Sequence, residues 1–250
     1  MEWKHKCDLD WLRARQEYLT ASEIRALVPV TKTGRPRKVT ELDYMKVYAN
    51  KCVNLTEEDC WSYGAAARGH LLEPYAIDEL NMALDDDGVM DHFHWWDDKL
   101  VSVGTRKIAF SPDAMDVPMD GNVEDVSCIA EVKCYGAERH IVTAYTEKGQ
   151  IEERWQIATA MALLDNISHA YLVLFNPSLS YESLYYIKFE RFELSDEIDM
   201  IKDVEEEWVK FISRPYPSMP NGGACHMSFS NEGDIIRSLE IKQQEESLNP

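Results

Sequence analysis

The segment Ile129-Ala130-Glu131-Val132-Lys133-Cys134 constrains this chain most. Side chains alternate along a strand, so Ile129, Glu131 and Lys133 share one face while Ala130, Val132 and Cys134 share the other. The segment is apolar apart from one carboxylate and one ammonium, and both point the same way. Taken alone, that pair is what an exposed strand face would show. Eighteen residues before Glu131 stands Asp113, in Ser111-Pro112-Asp113-Ala114. A second apolar run, Ala170-Tyr171-Leu172-Val173-Leu174-Phe175, has the length and character of a buried strand.

The rest of the chain supplies helices around these strands. Asp8 or Asp10 is placed to cap a first short helix, and Thr20-Ala21-Ser22-Glu23 has the spacing of a capping box. Residues 30–40 form a Gly/Pro/basic loop. Residues 40–53 are expected to be helical, with Leu42, Met45, Val47 and Tyr48 buried. Residues 62–84 give the longest early helical pattern, kinked after Glu73 by Pro74 and ended by Asp85-Asp86-Asp87-Gly88. Short strands are expected near 90–95, 100–104, 107–110, 113–117 and 128–134, with a turn at Asp120-Gly121-Asn122. Residues 137–148 are a mixed, partly helical connection. A helix over 150–165 carries Ile151, Trp155, Ala158 and Ala162 on one stripe. A strand over 184–189 precedes a helix capped by Ser195, which buries Ile198, Ile201, Val204, Trp208 and Phe211. Beyond Arg214 periodicity is lost, and 215–250 is expected to be a tail.

Of 250 residues, 45% are hydrophobic and seven are tryptophan, so a globular protein is expected. No apolar run approaches the roughly 20 residues of a membrane span, and Met1–Lys6 has no apolar signal core. The six cysteines (7, 52, 60, 128, 134, 225) contain no Cys-x-x-Cys pair. That argues against a zinc ribbon or cysteine-bound cluster and fits reduced thiols in a cytosol. The net charge of -19 is awkward for a nucleic-acid partner. Residues 1–51, however, hold eleven Lys/Arg against seven Asp/Glu, a balance of +4 that leaves -23 on the remainder. If DNA is bound, the run containing Arg35, Arg37 and Lys38 is a candidate first contact, with a solvated loop as the plainer alternative.

The order is a helix with Glu73, a strand with Asp113, a strand with Glu131 and Lys133, and a helix with Gln156. This order resembles the PD-(D/E)XK nuclease core and, more closely, the lambda exonuclease / YqaJ-type viral recombinase family. Four segments carry the likeness across about residues 8–190. They are Trp11-x-x-x-Arg15 running into Leu19-Thr20-Ala21-Ser22-Glu23; Arg68-Gly69-x-x-x-Glu73; Phe110-Ser111-Pro112-Asp113-Ala114 with Glu131-Val132-Lys133; and Trp155-Gln156. Ala114 stands where many relatives carry glycine.

The resemblance implies an α/β (α+β) restriction-endonuclease-like core, a central mixed β-sheet flanked by helices. It implies one nuclease domain over 1–214, with a DNA-end-binding part at about 8–60, a catalytic core at about 62–190 and a C-terminal helix at about 195–213. Asp113 and Glu131 would hold Mg²⁺ with the Val132 carbonyl, and Glu73 would complete a second ion site; Mn²⁺ is a possible substitute. Such hard cations choose carboxylate oxygens. Lys133 would orient or deprotonate the attacking water, and Gln156 would steady the site. Arg15 and Ser22 would bind the 5′-phosphate of the cut strand, with Trp11 stacking or packing beside the DNA end. The expected activity is a 5′-to-3′ double-strand DNA exonuclease that leaves 3′ overhangs for a single-strand-annealing recombinase in the cytoplasm of a phage-infected cell. A ring-shaped homo-oligomer such as a trimer, basic within and acidic without, would reconcile the net charge. Alternatives are a PD-(D/E)XK endonuclease, a helicase-coupled nuclease, or a DNA-end or partner-binding protein without catalysis.

Overall fold

The computed structural model describes residues 3–31 and 34–214, with Lys148 described in its backbone only. Chain order is β1 (Lys4–Lys6), α1 (Leu9–Gln16), β2 (Leu19–Thr20), α2 (Ala21–Ile24), α3 (Glu41–Lys51), β3 (Trp61–Tyr63) and α4 (Gly64–Asp86). Then come β4 (His94–Trp95), β5 (Ile108–Ala109), β6 (Ala114–Met115), β7 (Cys128–Lys133), α5 (Ala137–Tyr145), α6 (Glu147–Leu163), β8 (His169–Phe175), β9 (Leu184–Glu190) and α7 (Ser195–Ile212). Residues Met1–Ser213 form one unit; of the second, Arg214–Pro250, only Arg214 is described. The expected tail at 215–250 lies outside the described residues. Among those described, no helix is long and apolar enough to cross a membrane.

The central sheet has five strands in the order β4-β6-β7-β8-β9. It is mixed: β7 and β8 are parallel, and the other three pairings are antiparallel. Parallel neighbours need a long crossover, and α5 with α6 supplies it. The alternation expected along β7 holds. Ile129 enters the core beneath α6 and α7, while Cys128, Ala130 and Val132 enter the second core beneath α4. Both faces of β7 are therefore covered, and Glu131 and Lys133 sit on a buried strand instead of an exposed face.

Local signals explain most helix starts. The Asp8 side chain accepts from the backbone N–H groups of Asp10 and Trp11, and Thr20 and Glu23 close the expected capping box. α4 runs unbroken through Pro74 and stops at Asp87, where Gly88 adopts φ 72°. A left-handed residue there favours glycine, which lacks the Cβ that strains it.

Three expectations need correction. In α3 only Val47 is buried; Leu42 and Met45 are 58% and 45% exposed. Tyr48, as expected, and Tyr44, which was not, are half-buried against Phe211 and Trp208 of α7, so the inward stripe runs 44-47-48. The strands expected over 89–117 shrink to two-residue pieces, and 100–104 keeps a single bridge, Val101 to Phe110. Turns interrupt that stretch too often for longer ladders. Ser195 is the first residue of α7, whose cap position is Leu194, and its hydroxyl donates to the Phe192 carbonyl.

Gly149 in α6 fixes how tightly the crossover folds back. A Cβ there would lie 2.6 Å from the Thr143 Cα and 2.8 Å from the Val142 carbonyl oxygen, both backbone atoms of α5. Gly149→Ala would gain about 1 kcal/mol of helix propensity, but overpacking against atoms that cannot rotate away costs about 1–3 kcal/mol. A net loss of stability in urea denaturation is expected; an unchanged or higher midpoint would show that α5 yields.

Candidate active site

The register of β6 on β7 builds the centre. Ala114 pairs with Ala130 and Met115 with Ile129, so one step further Asp113 lies across from Glu131. Paired residues on neighbouring strands share a face, which explains why an aspartate before one strand and a glutamate within the next converge. The Val132 N–H donates to Asp113 Oδ2 at 2.7 Å. In an extended strand the N–H and C=O of one residue point to the same side, so the Val132 carbonyl also faces the Asp113 edge. Lys133 follows Glu131 on the same face, and its Nζ donates to Glu131 Oε1.

Glu73 reaches the group from α4. His70, one turn earlier, lies 3.4 Å from Glu73 Oε1 and stacks on His5 of β1 at 4.8 Å. The carboxyl of Asp113 is pushed well above the ordinary aspartate range, first by burial and then by the charges of Glu131 and Glu73. Burial also pulls the Lys133 ammonium down, but Glu131 and Asp113 outweigh it and Lys133 holds its proton more firmly than a free lysine. Three clustered carboxylates thus face one ammonium. The deficit of positive charge, the all-oxygen donor set and the carbonyl at its edge fit a hard divalent cation such as Mg²⁺.

A second cluster adjoins the first. Arg15 of α1 donates from Nη1 to Ser111 Oγ at 2.9 Å and from Nη2 to Ser22 Oγ at 3.2 Å. Trp11 holds this fork from below: its ring lies 4.5 Å from the guanidinium carbon, and its Nε1 donates to the Lys99 carbonyl at 3.2 Å and to Ser111 Oγ at 3.3 Å. Lys51 of α3 donates to the Arg15 carbonyl and to Glu23, fixing α1 against α2. Burial pulls the Arg15 guanidinium below its usual range, with Glu23 the main opposing charge. A desolvated cation with two hydroxyl partners suits an anion. Arg15, Ser22 and Ser111 line one cavity together with Glu131 and Gln156.

The structure therefore brings Glu73, Asp113, Glu131, Val132 and Lys133 together, and joins Arg15, Ser22 and Gln156 to them through that cavity. Trp11 is placed to support Arg15. The basic loop is elsewhere: Arg35 and Lys38 are exposed and do not line the cavity. Arg37 donates to the carbonyls of Ala26 and Val28 and lies 3.6 Å from Asp43, so it closes the chain after α2. Two features were not assigned from the sequence. Ser111 was visible inside the Asp113 motif as a hydroxyl two residues before the carboxylate. Glu153, buried in α6, accepts from the Tyr135 hydroxyl and from Arg139 just beyond Lys133; its separation from Tyr135 gave no signal.

A strand-borne carboxylate and lysine, a facing aspartate and a helical glutamate, on a mixed sheet flanked by helices, have the arrangement expected of a PD-(D/E)XK nuclease core. The chain belongs to the YqaJ-like viral recombinase domain family, whose model matches residues 10–166. No curated protein matches it. Among solved structures, an alkaline exonuclease from Laribacter hongkongensis is similar at 19% identity and a TM-score of 0.54, over 82% of this chain and 96% of that one. The same exonuclease in complex with dAMP gives 0.52 at 19% identity, over 81% and 95%. A phage-related exonuclease from Haemophilus somnus gives 0.45 at 14% identity, over 78% and 95%.

Proposed function

We propose that the protein is a Mg²⁺-dependent 5′-to-3′ exonuclease that degrades one strand of a DNA duplex from its end. The cavity that joins Arg15, Ser22 and Ser111 to Glu131 and Gln156 carries this reading. An anion pocket beside the carboxylate centre is what an enzyme needs to hold a terminal phosphate and cut the next phosphodiester.

Arg15 would take the 5′-phosphate through its guanidinium, giving up the two serine hydroxyls to the same anion. Asp113 and Glu131, with the Val132 carbonyl, would hold the principal ion, and Glu73 would share a second with Asp113. When bound, Mg²⁺ supplies charge to the phosphoryl and leaving oxygens and acidifies water. Lys133 would orient the attacking water and, with its own proton passed to solvent, would take one from it; a cation sharing Glu131 would favour that neutral form of Lys133. Gln156 would orient that water from α6. Mn²⁺, also an oxygen-seeking ion, would substitute. The product, a 3′ overhang, is the substrate of a single-strand-annealing partner. A ring of copies enclosing DNA would keep the acidic exterior away from it.

The test is digestion of linear duplexes with 5′-phosphate or 5′-hydroxyl ends, beside closed circles. The phosphorylated ends should be degraded fastest and the circles left intact. Equal rates on circles and ends would favour an endonuclease. In Arg15→Ala the preference for phosphorylated over hydroxyl ends should fall about 10- to 100-fold, the equivalent of about 1.5–3 kcal/mol for a charged hydrogen bond. An unchanged preference would remove Arg15 from the pocket.

A further inference from the structure

At the opposite end of β7, away from the carboxylates, Cys128 pairs in register with His169 at the start of β8. Cys128 lies in the α4-facing core, as does Tyr171, two residues along from His169 and so on the same face. Asp91, in the connection after α4, closes the group. Its Oδ2 accepts from the Tyr171 hydroxyl at 2.7 Å and lies 2.8 Å from His169 Nε2. The donor atoms of Asp91, Cys128 and His169 all lie within 4.8 Å of one another.

We infer that Asp91, Cys128 and His169 form a binding site for a borderline-soft divalent transition metal, zinc above all, separate from the carboxylate centre. The donor chemistry selects the ion. A thiolate, an imidazole and a carboxylate suit zinc or cobalt, whereas Mg²⁺ takes oxygen donors. Zinc holds such donors at about 2.0–2.3 Å, so binding replaces the His169–Asp91 contact, opening that pair slightly, draws Cys128 towards it and releases the Cys128 thiol proton to solvent. The surroundings already orient the ligands. Ser168 Oγ lies 2.8 Å from His169 Nδ1, which turns Nε2 towards Asp91, where an ion would be shared between them, and Tyr171 holds Asp91. Outer partners of this kind fix a ligand's tautomer and direction. The site is distinct from the nuclease centre because Cys128 faces α4 while Glu131 stands on the other face of β7. Its effect would be structural: it ties the connection after α4 to the first residues of both parallel strands, three residues before Glu131.

The experiment titrates the full chain with Co²⁺ in excess Mg²⁺ and follows thiolate-to-cobalt charge-transfer absorption, which oxygen ligands do not give. One equivalent should develop the band, and Zn²⁺ should bleach it. Cys128→Ser should abolish it, and His169→Gln should weaken cobalt binding by at least about tenfold. Cys134→Ser and Glu131→Gln should retain it. No band in the parent, or a band surviving in Cys128→Ser, overturns the proposal. Thermal unfolding provides a second measure: Zn²⁺ should raise the parent's midpoint and leave that of His169→Gln unmoved, and equal shifts in both would also overturn it.

Discussion

Lys133→Ala should lower the rate of DNA cleavage about 10²- to 10⁴-fold, the usual contribution of a positioned proton-transfer group, while leaving binding to DNA ends in place. The structure gives Lys133 one strong partner, the Glu131 carboxylate beside it, within a cluster that also holds Asp113. Removing the ammonium therefore does two things. It takes away the group that handles the water's proton, and it leaves Glu131 buried without its counter-charge. The second effect makes the variant lean more heavily on a divalent cation for stability. Single-turnover cleavage of a phosphorylated duplex, beside an end-binding assay, separates the two. A variant that cuts as fast as the parent with Mg²⁺ present would mean that Lys133 is only the partner of Glu131.

Asp113→Asn should abolish cleavage and yet stabilise the metal-free protein at neutral pH. The Asp113 carboxyl is raised above its unfolded value of about 3.9, so the folded state favours its protonated form. Its contribution to stability is then fully present below the unfolded value and is lost as pH rises through the folded one. At neutral pH the ionised side chain opposes folding, and an amide, which still accepts the Val132 N–H, does not. The variant should therefore melt higher than the parent without metal. The gap should close on acidification below about pH 4. Mg²⁺ should close it as well, by stabilising only the parent. Melting curves across pH with and without Mg²⁺ check this; a variant that is less stable at neutral pH would show that Asp113 is ionised at no cost.

The parts of the site legible in the sequence were those carried by local pattern. Glu131 and Lys133 share a face because a strand alternates, and the capping box at Thr20 announces itself within four residues. The meeting of Asp113 with Glu131 could be expected from resemblance, but its cause is a sheet register that no short window contains. Ser111 is the clearest omission. Its hydroxyl became meaningful only when α1 brought Arg15 and Trp11 to it across almost a hundred residues. The basic loop failed in the opposite direction. Composition drew attention to Arg37, whereas three carbonyl and carboxylate partners hold it to its own neighbourhood. Half of the α3 stripe, Val47 and Tyr48, is inside as expected; Leu42 and Met45 face out and Tyr44 faces in, because the pattern of apolar residues could not say that α7 would present Phe211 and Trp208 to its tyrosines.

The parallel pairing of β7 with β8 also makes β7 one of the last strands to be fully supported as the chain is made. β7 is held on one side by a two-residue strand and on the other by a partner that the ribosome makes only after both crossover helices. Non-local pairings of this kind form late, since the loop must close before the contact is gained. A nascent chain ending before β8 already has every carboxylate of the centre, and Lys133, but no strand to hold them in line. The centre is therefore complete only once β8 and both crossover helices have been made and β8 has paired with β7.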